Sequence, residues 1–132
     1  MWYTLDMKQT LIRECIGIAK RKNPNRGGIY RHYSFLIQRN KLIEWADNIR
    51  CGDYTKWGYS KYAGGHSEFL AYRKAKGILL NESFEMLNIR LNKRGVIKNS
   101  KPCSCCYDFL KELGCKLIVY SIDEKYFGRI VL

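Results

Sequence analysis

An α/β domain, with a mixed β-sheet flanked by helices, is the fold this sequence predicts, and three observations predict it. Helical and strand-like periodicities alternate along the chain in the order α-β-β-α-β-α-β-β. The third strand has a helix before it and a helix after it, which places a βαβ unit on each side. The 132 residues are 46% hydrophobic, with ten Tyr, five Phe and three Trp, enough to build one core. Residues 1–132 are therefore expected to form a single domain.

The first helix is expected over residues 5–20, where Leu11, Ile12, Cys15, Ile18 and Ala19 recur at helical spacing. "KRKNPNRGG", residues 20–28, stops it with Pro, Asn and Gly and stands as a basic loop. "HYSFLIQ" and "KLIEWADN", separated by "RN", read as a hairpin with strands near residues 32–38 and 41–47. Residues 48–65 keep no period and form a long loop, and long ordered loops in compact domains tend to be functional.

"GGHSEFLAYRKAKG" opens a second helix over about residues 66–77. In "FEMLNIRLN", Leu87, Ile89 and Leu91 alternate with Asn88, Arg90 and Asn92, the period of a strand with one buried face. "NKRG" makes a turn. In "SKPCSCCYDFLKELG", Ser100 is a cap candidate, Pro102 falls in the first turn and Gly114 lies past the end, so a helix is expected over residues 103–113. "CKLIVYS" reads as a buried strand and "YFGRIVL" as a final strand or extended tail.

No run approaches the roughly 18 apolar residues of a membrane span, and "MWYTLDMKQT" has an acid where a signal peptide carries basic residues. An intracellular, cytoplasmic protein without a membrane partner is the expectation. In that setting the six cysteines point to metal ligands, redox groups or buried thiols before disulfides. The formal net charge of +12, from 24 Lys and Arg against 12 Asp and Glu, draws polyanions, and nucleic acid is the natural one.

Cys103 and Cys106 are two residues apart at a helix start, so they project onto one face and can share a zinc ion. Unpaired N–H groups at a helix start also favour the thiolate that zinc requires. His66 holds the corresponding position of the preceding helix. With those helices side by side across the third strand, His66, Cys103 and Cys106 converge at one sheet edge. Three protein ligands leave a fourth position open for water, the pattern of a catalytic zinc rather than a closed structural one. Glu68, two residues past the histidine, is placed to move protons beside that water. Cys105 turns off the shared face; Cys15, Cys51 and Cys115 fall in or near apolar segments and read as buried thiols, and His32 reads as a structural histidine.

"HSE" followed by "PCSCC" resembles the cytidine and deoxycytidylate deaminase superfamily, whose zinc-dependent members show His-x-Glu and then Pro-Cys-x-x-Cys. The resemblance covers residues 30–121. It implies a single-domain, three-layer cytidine deaminase-like fold with a sheet of about five strands. It also implies His66, Cys103 and Cys106 as zinc ligands, Glu68 as proton shuttle, and Asn48 as a contact to the nucleoside sugar. Two departures stand out: Ser67 lies where many relatives have alanine or valine, and the 50–65 loop is longer than that of compact relatives.

Superfamily members act on free nucleosides and nucleotides, on bases in single-stranded DNA or RNA, and on adenosine in transfer RNA. Adenosine-acting relatives commonly have a methionine where this chain has Cys105, which favours cytosine. Cations at Lys22, Arg26, Lys93 and Arg94, with Trp57, Tyr59 and Tyr62 in the long loop, suit a single strand whose backbone is tracked and whose bases are stacked. The expected partner is single-stranded DNA or RNA, with a free pyrimidine nucleotide as the alternative and homo-oligomers left open. A non-enzymatic zinc module binding nucleic acid is the remaining alternative; it needs a fourth ligand, such as Cys51.

Overall fold

The structure is a computed structural model that describes residues 7–23, 31–48 and 66–132. Helix α1 (Gln9–Lys22) buries Leu11, Ile12, Cys15 and Ala19 at intervals of three and four, one apolar stripe along its length. It runs two residues beyond the predicted end and stops at Asn23, which is held extended before Pro24, a residue type that disfavours helix at the position preceding it. The Asn23 N–H still reaches back to the Ala19 carbonyl at 2.9 Å. Residues 5 and 6, placed in this helix by periodicity, lie outside the described residues.

Strands β1 (Arg31–Gln38) and β2 (Lys41–Asp47) form the predicted antiparallel hairpin. Its two-residue turn, Arg39 and Asn40, has φ of 55° and 59°, a type I′ geometry whose twist matches the flanking strands. Next come helix α2 (Ser67–Ala75), strand β3 (Phe84–Leu91), a two-residue strand β4 (Ile97–Lys98), helix α3 (Ser104–Glu112), and strands β5 (Cys115–Ser121) and β6 (Phe127–Val131).

The strands make one six-stranded mixed sheet in the order β2-β1-β3-β5-β6, with β4 paired to β3 off that path. Strands β3 and β5 are parallel; the other neighbouring pairs are antiparallel. Helix α3 joins the adjacent strands β3 and β5, the expected βαβ unit, whereas α2 carries the chain from β2 across β1 to β3.

Alternation along the strands sorts the core into two faces. Tyr33, Phe35, Ile37, Leu87, Ile89, Leu91, Leu117 and Val119 pack with α1 on one face. Leu36, Phe84, Met86 and Ile118 face the other, with Ala75 from α2 and Leu110 from α3. The result is three layers, helix, sheet, helices. Strand β3, expected to bury one face, buries both, because it is central and a helix layer covers each side. On the second face, Phe69 of α2 meets Phe109 of α3 with ring centroids 5.3 Å apart, and Tyr72 meets Phe109 edge-on at 6.0 Å. These contacts set the two helices side by side. Among the described residues, no helix is long and apolar enough to cross a membrane.

Candidate metal centre

Helix α2 starts after β2, and α3 after β3 and the short β4 that pairs with its carboxyl end, so both helix N-termini lie beyond the carboxyl edge of the sheet. His66 is the N-cap residue of α2 and Cys103 the N-cap residue of α3, both with extended backbone. Ser100 was the expected cap and Pro102 was expected in the first turn, but the helix begins after both. The Ser100 hydroxyl instead donates to the Asn88 carbonyl at 2.7 Å and meets Ser121 Oγ at 2.8 Å, tying the approach to α3 onto β3 and β5. The cap is supplied by Cys103 Sγ, which accepts from the Cys106 N–H at 3.5 Å.

The His66 ring makes no capping bond and turns to the cysteines, with Nδ1 2.9 Å from Cys106 Sγ and 3.5 Å from Cys103 Sγ. All three potential ligand atoms lie within 4.8 Å of one another. A tetrahedral zinc ion, with Zn–S of about 2.3 Å and Zn–N of about 2.0 Å, sets sulfurs about 3.8 Å apart and sulfur from nitrogen about 3.5 Å apart. The His66–Cys103 separation of 3.5 Å matches this, and the His66–Cys106 pair, at 2.9 Å, would have to open to meet it. Burial, then the neighbouring Glu68 and Cys103, push the Cys106 thiol above its ordinary range. A cation among the three groups reverses that balance, since a coordinated thiol is held as the thiolate. Cys106 is fully buried whereas Cys103 is exposed, so the group has one closed and one open side.

The open side is a cavity of about 240 Å³ whose walls include His32, Asn48, His66, Glu68, Lys101 and Cys103. Glu68 sits in the first turn of α2 and is 7% exposed. Burial raises its carboxyl pKa; its own backbone N–H, the nearby His66, Asn88 and Ser67 pull the other way and offset only part. Asn88 Nδ2 donates to Glu68 Oε2 at 3.0 Å, and Ser67 Oγ lies 3.5 Å from Oε1.

No family model matches this chain, and no curated protein matches it. Geometry therefore carries the argument: an α/β fold with a mixed sheet brings together a His, Cys, Cys group able to hold a metal ion, an arrangement compatible with the superfamily resemblance.

Asn48 ends the hairpin as expected, and its side chain is partly committed. Oδ1 accepts from the His32 N–H at 2.8 Å while the Asn48 N–H donates to the His32 carbonyl at 3.0 Å, and among the described residues no partner takes the Nδ2 donors. Cys105 packs with Ala46, Phe69, Leu70 and Ala71, outside the metal group. Lys22, Lys93 and Arg94 are brought to one place: α1 ends against the turn after β3, where Asn23 Nδ2 donates to the Asn92 carbonyl at 3.1 Å. Trp57, Tyr59, Tyr62, Arg26 and Cys51 lie outside the described residues. His32, Asn88, Ser100 and Lys101 join the site without having been singled out for it in the sequence. His32 is near a strand start, Asn88 is mid-strand, and Ser100 and Lys101 precede a helix, positions that many unrelated residues share.

Proposed function

We propose that this chain is a zinc-dependent hydrolytic deaminase that converts cytosine to uracil in single-stranded nucleic acid. The observation that carries the reading is Glu68, a buried carboxyl of raised proton affinity in the wall of the same cavity as His66 and Cys103. A structural metal site has no use for such a group, whereas a hydrolase needs one that takes and returns protons near neutral pH. His66, Cys103 and Cys106 would hold the zinc, which supplies the Lewis acidity for attack by water. Glu68 would take a proton as water adds to C4 of the base and pass it to N3, then take the proton of the new C4 hydroxyl and deliver it to the departing amine, so cytosine and water become uracil and ammonia. Asn48 Nδ2 and Lys101 offer donors at the cavity wall to the sugar and its phosphate.

The distribution of charge supports a polynucleotide. Residues 93–101 pass along the sheet's carboxyl edge from the end of α1 to the cavity, carrying Lys93, Arg94, Lys98 and Lys101. Among the described residues, no carboxylate forms an ion pair with these four or with Lys22. A free cytidine or deoxycytidine nucleotide is the second reading, because the cavity is below the roughly 300–1,000 Å³ of drug-sized sites and admits one base with one phosphate at Lys101. A non-enzymatic zinc module would need a fourth ligand, and among the described residues the group has three.

The test is uracil formation from dCMP, CMP, cytidine and a cytosine-containing oligonucleotide, with Glu68→Ala as the control. Wild type should deaminate the oligonucleotide, and Glu68→Ala should keep its zinc while losing on the order of 10²–10⁴ in rate. Full activity of Glu68→Ala sinks the mechanism, and turnover confined to mononucleotides selects the second reading.

A further inference from the structure

Behind Glu68 lies a chain of buried polar groups drawn from three elements: Ser34 of β1, Asn88 of β3 and Ser67 of α2, each 3% exposed or less. Ser34 and Asn88 are direct partners across the β1–β3 ladder, so their side chains share the face that carries α2. Ser34 Oγ donates to Asn88 Oδ1 at 2.7 Å and meets Ser67 Oγ at 2.7 Å. Asn88 Nδ2 donates to Glu68 Oε2 at 3.0 Å.

The donor inventory gives this chain a direction. A serine hydroxyl has one proton, and an amide oxygen can only accept. Ser34 commits its proton to Asn88 Oδ1, so Ser67 is the donor in the serine pair. With its oxygen pinned by Ser34, the Asn88 amide must present Nδ2 to Glu68. A flipped amide would set Oδ1 against Glu68 Oε2, two acceptors in a buried site, and would face its NH₂ towards Ser34. Ser67, engaged with Ser34 at 2.7 Å, reaches Glu68 Oε1 at only 3.5 Å.

We propose that Ser34 and Asn88, backed by Ser67, are positioning residues that hold the Glu68 carboxyl in place through a fixed donor on Oε2. The proposal rests on the deaminase reading for its consequence in turnover, but the hydrogen-bond chain can be tested without it. Ser67 backs Ser34 at 2.7 Å, and its Oγ also lies 3.5 Å from Glu68 Oε1.

The experiment compares Ser34→Ala, Ser34→Cys and Ser67→Ala with wild type in the full, zinc-loaded chain. Loss of an outer hydrogen-bond partner of a metal site typically costs about 10- to 100-fold, so Ser34→Ala should lose that much in kcat with KM and zinc content unchanged. Ser34→Cys, with a weak donor of similar size, should recover part of the loss, and Ser67→Ala should cost less than Ser34→Ala because the Ser34–Asn88 bond survives. The second readout is NMR of the Asn88 side-chain amide: its protons should be protected from exchange in wild type and Ser67→Ala, and lose protection in Ser34→Cys or Ser34→Ala, whichever folds. An unprotected Asn88 amide in wild type, a folded Ser34→Ala with unaltered kcat, or a Ser67→Ala as damaged as Ser34→Ala overturns the proposal. A wild type inactive on every substrate defeats the deaminase reading instead, and the Asn88 signal still decides the chain.

Discussion

His32 stands at the start of β1 with Arg90 as its cross-strand partner, and its ring lines the cavity beside His66. Burial, then Arg90 and His66, lower its pKa from 6.5 to about 4, so the ring is neutral at physiological pH. The folded value lies below the unfolded one, so the unfolded chain binds more protons between them. Stability from this group is present above about 6.5 and is lost as pH falls towards about 4. The slope cannot exceed one proton, about 1.4 kcal/mol per pH unit, and solvent at the half-buried ring reduces it. Urea midpoints at pH 7 and pH 5 should therefore show the stability difference between wild type and His32→Gln shifting against wild type at the lower pH. A difference that stays constant between the two pH values contradicts the neutral buried ring.

Helix α3 shows how one short element serves both fold and site. Its N-terminus is capped by a cysteine of the metal group, and Gly114, just past its end, has φ of +96°. A Cβ there meets nothing within 4 Å, so Gly114→Ala costs only the left-handed backbone term, about 1–2 kcal/mol. Denaturant unfolding should show that loss, with zinc content unchanged. Cys106→Ala acts at the other end of the helix and should release the metal and lower the melting temperature, because the group ties the starts of α2 and α3 together. Cys115→Ala removes an equally inaccessible thiol from β5, where Sγ bonds the Leu117 carbonyl at 3.4 Å, and should destabilise the chain without metal loss. Metal analysis of the two variants separates the roles; full zinc retention in Cys106→Ala refutes the ligand set.

At the scale of the whole molecule, charge is unevenly compensated. Arg39 pairs with Glu82 and Lys116 with Glu85 near the sheet edge remote from the cavity, while the cations of residues 93–101 run towards it without ion pairs to described carboxylates. The polynucleotide reading predicts oligonucleotide affinity that falls with salt at a log-log slope of about 0.7 per phosphate contacted. Lys98→Glu with Lys101→Glu should flatten that slope. A slope near zero in wild type, with dCMP or CMP turned over regardless of salt, removes the polynucleotide reading.

Periodicity made most of the elements legible, because a stripe at intervals of three and four or an alternation of two follows from where side chains point on a helix or strand. The His66 and Cys103–Cys106 spacings made the metal group legible for the same local reason: a helix start fixes the relative placement of residues a turn apart. Strand β4 was not legible, since two residues carry no period and Ile97–Lys98 is a strand only because β3 extends past β5 to meet it. The two-sided burial of β3 was hidden as well: Asn88 reads as a solvent-facing residue until α2 covers that face and brings Glu68 to it. By itself the sequence determined the α/β order, the helix starts and the residue types of a metal group. Only the tertiary structure decided that Ser34, Ser67 and Asn88, far apart along the chain, meet behind Glu68, because sheet pairing and helix packing, not spacing, put them within hydrogen-bond reach.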